Sequence, residues 1–308
     1  MRLISGITAA IVLLAAYGAN AQTKVTISYG PAGGWMPAFV AKEQGFFAKH
    51  GLDATLQLIA VGSNQPAALI SNQIQISGIN PAIAIFADEG GADIKVIAGA
   101  SGQSKTSTSG GLMARTGLAI PTPADLVGKK VAVPGINSVY HVAFMKWLKT
   151  KGVDPAKVEY MEVAINAMSD MLRNGQADAA LPVEPFASQI EQNKTGYMVS
   201  AFTADLADPY THYSVYAMDD AYMKAHPDVA PAFKAALNEA LAWIPQNDEA
   251  ARRTLITYLH LPEKVALTGK LSDMRVAITA DQMQWWIDAC KELGLTKGTI
   301  KLADVFAP

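Results

Sequence analysis

One cysteine in 308 residues, Cys290, excludes an intrachain disulfide and a Cys-rich metal site. Histidine is nearly as sparse, with five residues at positions 50, 141, 212, 226 and 260. None of them falls in an H-E-x-x-H motif or at i, i+4 spacing, so no zinc ligand set is visible. The sequence also has no G-x-S-x-G, no Walker loop and no G-x-G-x-x-G. These absences agree with a protein that binds without transforming, and neither a metal nor a cofactor is expected. Charge is thin as well: 17% of residues, formal net charge −2, with no Lys/Arg runs. That balance argues against nucleic acid or an anionic membrane as partner. Long hydrophobic runs are missing too. The apolar stretch from Leu3 to Ala16 falls short of the ~20 residues that span a bilayer.

What is present is an ordinary globular composition, 50% hydrophobic, in a chain long enough for two cores. The short apolar stretch follows a minimal basic start, Met1–Arg2, and precedes a small-x-small site, Ala19-Asn20-Ala21. The pattern reads as a secretory leader cleaved after Ala21, which leaves Gln22 near the mature start and places the protein in the periplasm. An N-terminal membrane anchor is the alternative. No cysteine near the cleavage site supports a lipoprotein anchor.

The stretch Asp125–Tyr140, DLVGKKVAVPGINSVY, organises the reading of the remainder. Val131–Val133 is a short β-prone run, Pro134–Gly135 stops it, and Ser138 is placed to cap a helix. Val139, Val142, Ala143 and Trp147 recur at helical spacing and give that helix one buried face. A helix start of this kind has unpaired backbone N–H groups and the positive end of the helix dipole, which suits polar or anionic ligand groups. Most such junctions bind only water.

The same alternation runs along the chain. Strands are expected at Val25–Tyr29, Thr55–Ile59, Ile74–Ser77, Lys95–Ala98, Gly111–Arg115, Val158–Val163, Ala179–Leu181 and Tyr197–Ser200. Prolines at 37, 66, 81 and 185 each stand in a first helical turn shortly after a strand. Asn80 before Pro81 is a good N-cap. This pattern builds mostly parallel, doubly wound sheets, with ligands beyond the carboxyl ends of the strands. Composition breaks at Ser101–Gly110 and Thr203–Tyr213 mark two crossings between lobes. The C-terminal third is helical. Phe233, Ala236, Leu237, Ala240, Leu241 and Ile244 form a core stripe. Thr279–Gln282 is a capping box opening a helix whose buried face is Met283, Trp286, Ile287 and Cys290.

Four blocks resemble the nitrate/sulfonate/taurine group (SsuA/TauA type) of ABC-transporter solute-binding proteins. They are SYGPAGGWMPAFVAKEQGFFAKHGLDATL, AALISNQIQISGINPAIAI, the central DLVGKKVAVPGINSVY and MLRNGQADAALPVEPFASQ. They cover most of residues 25–200 in the family's order; the remainder matches loosely. The resemblance implies a two-lobe periplasmic-binding-protein fold. Lobe 1 would comprise 22–112 plus 214–308, and lobe 2 would comprise 113–213. The lobes would close by hinge motion on a small solute. It implies a monomer that delivers the solute to an ABC permease in the inner membrane, without entering the membrane itself.

The candidate ligand contacts follow from the loops and the resemblance together: Trp35, Gly62, Ser63, Asn80, Asn137, Ser138, Tyr140, Glu184, Tyr210 and His212. Trp35 could cover a ligand or cap the core. Glu184, after a strand and before Pro185, could accept hydrogen bonds from a ligand or act as a plain first-turn acid. Tyr140, Tyr210 and His212 are candidates for the lip of the cleft, or structural residues. Glu184 and the lack of an obvious Arg in these loops favour a neutral, zwitterionic or aromatic solute, such as a taurine-like or heterocyclic compound. Two other functions share this fold by resemblance: a thiamine-pyrimidine synthase, whose cysteine-rich motif this chain lacks, and a sensor subunit for a membrane kinase.

Overall fold

A computed structural model describes residues 22–106, 110–207 and 210–307, and the expected leader at 1–21 lies outside them. The strands in chain order are β1 Thr23–Tyr29, β2 Leu52–Leu58, β3 Ile76–Ile79, β4 Ile94–Ser104, β5 Leu112–Arg115 and β6 Lys130–Val133. They continue with β7 Glu159–Glu162, β8 Ala179–Ala180, β9 Gly196–Ser200, β10 Tyr210–Asp219 and β11 Asp273–Met274. They form two sheets. The first has the order β11-β4-β10-β3-β1-β2 and the second β7-β6-β8-β5-β9.

Neither sheet is parallel throughout. β1 pairs in parallel with β2 and β3, and β6 with β7 and β8. β10 is antiparallel to β3 and β4, and β5 is antiparallel to β8 and β9. The reason lies in the connectivity. β5 and β10 are the first strands after the chain passes from one sheet to the other. Each enters its sheet from the side where the other strands end, so it runs against them. The expected mostly parallel pairing therefore holds for only part of each sheet.

Helices pack on both sheets by the faces their spacing dictates. Helix Val229–Trp243 buries Val229, Phe233, Ala236, Leu237 and Ala240, and Phe233 stacks on Phe47 at 5.8 Å between ring centres. Helix Val139–Thr150 buries Val142, Phe144 and Leu148, and its Trp147 Nε1 donates to Asp205 at 2.9 Å. Full burial of each such apolar side chain contributes about 1.5–3 kcal/mol. The capping box forms at Thr279–Gln282, and Met283, Trp286, Ile287 and Cys290 are buried as the period requires. Burial pushes the Cys290 thiol up to about 12, so the group stays protonated. No helix among the described residues is long and apolar enough to cross a membrane.

Candidate functional site

A cleft of about 700 Å³ lies where the two sheets face each other. Its lining comes from the segments that follow β1, β2, β3, β6, β7 and β8, with additions from β4 and β10. Carboxyl ends of strands from both sheets therefore converge on one space.

After β1, the Gly30–Gly34 turn brings Trp35 to the cleft. A Cβ on Gly34 would fall on Ser101, and one on Gly78 would meet the Ser28 carbonyl at 2.5 Å and the Trp35 ring at 2.9 Å. Only glycine lets these backbones approach so closely. Trp35 is buried and stands edge-on to Tyr216 at 5.2 Å, so it packs on the core and lines the cleft at once.

After β2, Gly62 and Ser63 form a single turn ahead of helix Gln65–Ile70. Gln65 Nε2 donates to the Gly78 carbonyl at 2.5 Å and ties this turn to β3. After β3, the Asn80 side chain caps helix Pro81–Glu89 by accepting from the Ile83 N–H at 2.9 Å.

After β6, Asn137 takes a left-handed conformation, φ +61°, and Ser138 takes an extended one before the helix starts. The Asn137 N–H donates to His141 Nδ1 at 2.9 Å, and the Ser138 N–H donates to the Gly135 carbonyl at 3.1 Å. Both amides are thus spent inside the loop. The N–H groups of Val139 and Tyr140, like those of Gly62 and Ser63, have no hydrogen-bond partner among the described residues. The first-turn geometry leaves them open. Ser138 Oγ is buried without a partner, as is Tyr213 OH from β10, and both residues line the cleft. Tyr140 OH accepts from Gln103 at 3.3 Å, and its ring centre lies 4.9 Å from that of Tyr213.

Seven of the expected residues come together here: Trp35, Gly62, Ser63, Asn80, Asn137, Ser138 and Tyr140. Three lie elsewhere. Glu184 is 2% exposed and outside the cleft lining, with its carboxylate accepting from the Ser188 N–H at 3.1 Å. It stands just before the N-cap Pro185 of helix Phe186–Gln192 and takes up an N–H of that helix's start; burial raises its pKa, and the Ser188 hydrogen bonds pull it back down. Tyr210 and His212 are not on the lip. They belong to β10, a strand paired on both sides, and point to the β11 region. Tyr210 OH donates to the Asp273 carbonyl at 2.9 Å, and His212 Nε2 donates to that of Arg275 at 3.1 Å.

The lining also holds residues the sequence reading missed, among them Tyr213, Ser101, Glu89 and Glu162. Glu162 ends β7, so the rule that placed the other loops would have reached it. Tyr213 had no such signal, because β10 was not recognised as a strand. None of the lining residues is Lys, Arg or His, and two are carboxylates. Among the described residues no group of three His, Cys, Asp or Glu could hold a metal ion.

Two α/β sheets facing across a cleft built from strand ends are the layout of the two-lobe periplasmic-binding-protein fold. The family model described as NMT1/THI5 like matches residues 34–251, and the chain belongs to that family. It is similar to the "Taurine-binding periplasmic protein" of Escherichia coli (strain K12), with 26% identity over 250 residues, 80% of this chain and 72% of the relative. Among solved structures it resembles the alkanesulfonate-binding protein SsuA of Xanthomonas axonopodis pv. citri bound to MOPS. The TM-score is 0.77 at 17% identity, over 92% of this chain and 98% of that one. It also resembles the periplasmic nitrate-binding protein NrtA of Synechocystis PCC 6803, with a TM-score of 0.79 at 16% identity, over 92% and 86% of the two chains. These structural likenesses establish the fold.

Proposed function

We propose that the chain is the periplasmic solute-binding component of an ABC importer, capturing a small organic solute of sulfonate- or taurine-like, zwitterionic or heterocyclic character. The observation that carries this reading is the cleft itself, an open space of about 700 Å³ walled by strand ends of both sheets. Four unpaired N–H groups, at Gly62, Ser63, Val139 and Tyr140, belong to residues that line it. They would donate to oxygen or ring-nitrogen acceptors of the solute, while Trp35 and Tyr140 cover its apolar part.

Capture proceeds by closure of a lobe at 22–112 plus 214–308 on a lobe at 113–213, with the two chain crossings as hinge. The bound monomer then presents the solute to an inner-membrane permease. The names of the taurine- and sulfonate-binding relatives support this substrate range.

A thermal-shift screen of small organic solutes tests the reading. A solute present at a hundred times its Kd adds about 2.7 kcal/mol of stability, which in a chain of this size raises Tm by roughly 5–10 °C. If nothing in the screen raises Tm, and protein taken from its own periplasm retains no solute in native mass spectrometry, the reading fails.

A further inference from the structure

The charge pattern of the cleft narrows the solute beyond what the family does. The lining contains Glu89 and Glu162 and no cationic side chain. Glu162 is exposed, Glu89 is half-buried, and among the described residues each accepts only a backbone N–H, from Ile136 and Lys297, so a solute of net negative charge would meet two carboxylates that no cation of the lining offsets.

Glu162 is tied to the loop after β6. Its Oε2 accepts from the Ile136 N–H at 3.1 Å, which fixes the carboxylate beside the loop that carries Asn137 and Ser138. Its Oε1 has no partner among the described residues. The same cleft carries two further unspent groups. Ser138 Oγ and Tyr213 OH are both buried, unpartnered and part of residues that line the same space. Trp35, Tyr140 and Tyr213 add ring surfaces. The site thus offers a negative oxygen, neutral hydroxyls and aromatic walls.

We propose that the solute carries a protonated nitrogen and no net negative charge, and that Glu162 is the residue that selects for that nitrogen. The inference rests on the solute-capture reading above. The open amides complement it by taking an acceptor atom of the same solute, so a zwitterion fits and a bare anion does not. Carboxylate and ammonium form a charge-assisted hydrogen bond, stronger than its neutral counterpart.

The test uses two matched pairs, taurine with ethanesulfonate and benzylamine with benzyl alcohol, titrated calorimetrically into the protein produced from the full 308-residue chain. The amine member of each pair is expected to bind about tenfold to a hundredfold more tightly. Glu162→Gln should erase that advantage. The amide oxygen of Gln still accepts from the Ile136 N–H, so the loop keeps its shape while the charge is gone. Glu162→Ala removes both and reports the loop's own contribution. An amine advantage that is absent, or that survives Glu162→Gln, overturns the inference and leaves solute capture intact. Should neither pair bind, native mass spectrometry of periplasmic protein decides. A retained solute with a basic nitrogen that Glu162→Gln loses supports the inference, and one without such a nitrogen overturns it. If nothing is retained either, solute capture fails and takes this inference with it.

Discussion

The Gly30–Trp35 loop after β1 and the Pro134–His141 segment after β6 hold the same place in their respective sheets, each leading from a strand end into a helix at the cleft. They are built on opposite terms. The first is filled. Gly34 leaves no room for a methyl group against Ser101, Gly78 leaves none against the Ser28 carbonyl and the Trp35 ring, and no side chain in the loop titrates. The second is left open. Asn137 is left-handed, and among the described residues Ser138 Oγ and His141 Nε2 are buried without partners and the next two amides have none. A buried polar group without a partner costs about 1–3 kcal/mol. Native proteins tolerate that cost mainly where the group has another use. The first segment sets the shape of the cleft, and the second holds hydrogen-bonding capacity in reserve.

The largest effect should therefore come from the filled side. Trp35→Ala removes a buried indole that packs against Tyr216 and over Gly78. Truncations of this kind cost about 3–5 kcal/mol. Urea unfolding is expected to show a loss in that range, with the midpoint moved and the m-value kept. A loss under about 1 kcal/mol, typical of surface positions, would mean that the indole is a loose flap and that the comparison is wrong.

How far these features were legible depends on whether their signal is local. Pro and Gly end a strand wherever they stand, so the loops after β1, β2, β3 and β6 could be read, and with them seven of the residues now at the cleft. Asn80 and Thr279 could be read because a cap is a side chain reaching three residues along its own chain. β10 could not. Its residues YTHYSVYAMD are buried on both faces, so the alternation that marks a half-exposed strand is absent. Losing β10 put Tyr210 and His212 on a lip they do not occupy, and hid Tyr213. β4 ran on to Ser104 for a similar reason. Its end, AGASGQS, is a poor strand by composition and is held by β10 on one side and β11 on the other. Glu162 is a lone acid whose meaning comes only from the loop it faces.

The next effect separates the two segments by pH. His141 sits in the open segment, and burial pushes it down to about 4. Its Nδ1 accepts from Asn137, so the ring is neutral with the proton on Nε2. Below pH 6.5 the unfolded chain takes up a proton that the folded chain refuses until about pH 4. Stability contributed by the neutral ring is therefore complete above 6.5 and lost as pH falls through that window. At pH 5 the loss is about 2 kcal/mol. His212 is pushed down to about 4 by burial and acts in the same direction. Asp88, pushed up to about 6 chiefly by burial, acts in the other. The measurement is accordingly a difference: the drop in unfolding free energy from pH 7 to pH 5 should be about 2 kcal/mol smaller in His141→Asn, which keeps an acceptor near the Nδ1 position. Equal drops in the two proteins would show that the ring is not held neutral by this segment.

The smallest effect on stability should accompany a clear effect on binding. Ser138→Ala deletes a hydroxyl that has no partner among the described residues, so no hydrogen bond within them is lost and a desolvation penalty is relieved. Unfolding free energy is expected to stay within about 0.5 kcal/mol of the parent or to rise slightly. If the hydroxyl is held in reserve for a solute, affinity for that solute should fall by roughly threefold to tenfold, the worth of one neutral hydrogen bond. Trp35→Ala and Ser138→Ala would then sit at opposite corners of a plot of stability against affinity. A Ser138→Ala protein that loses stability without losing affinity would place the hydroxyl among the structural groups and erase the contrast between the two segments.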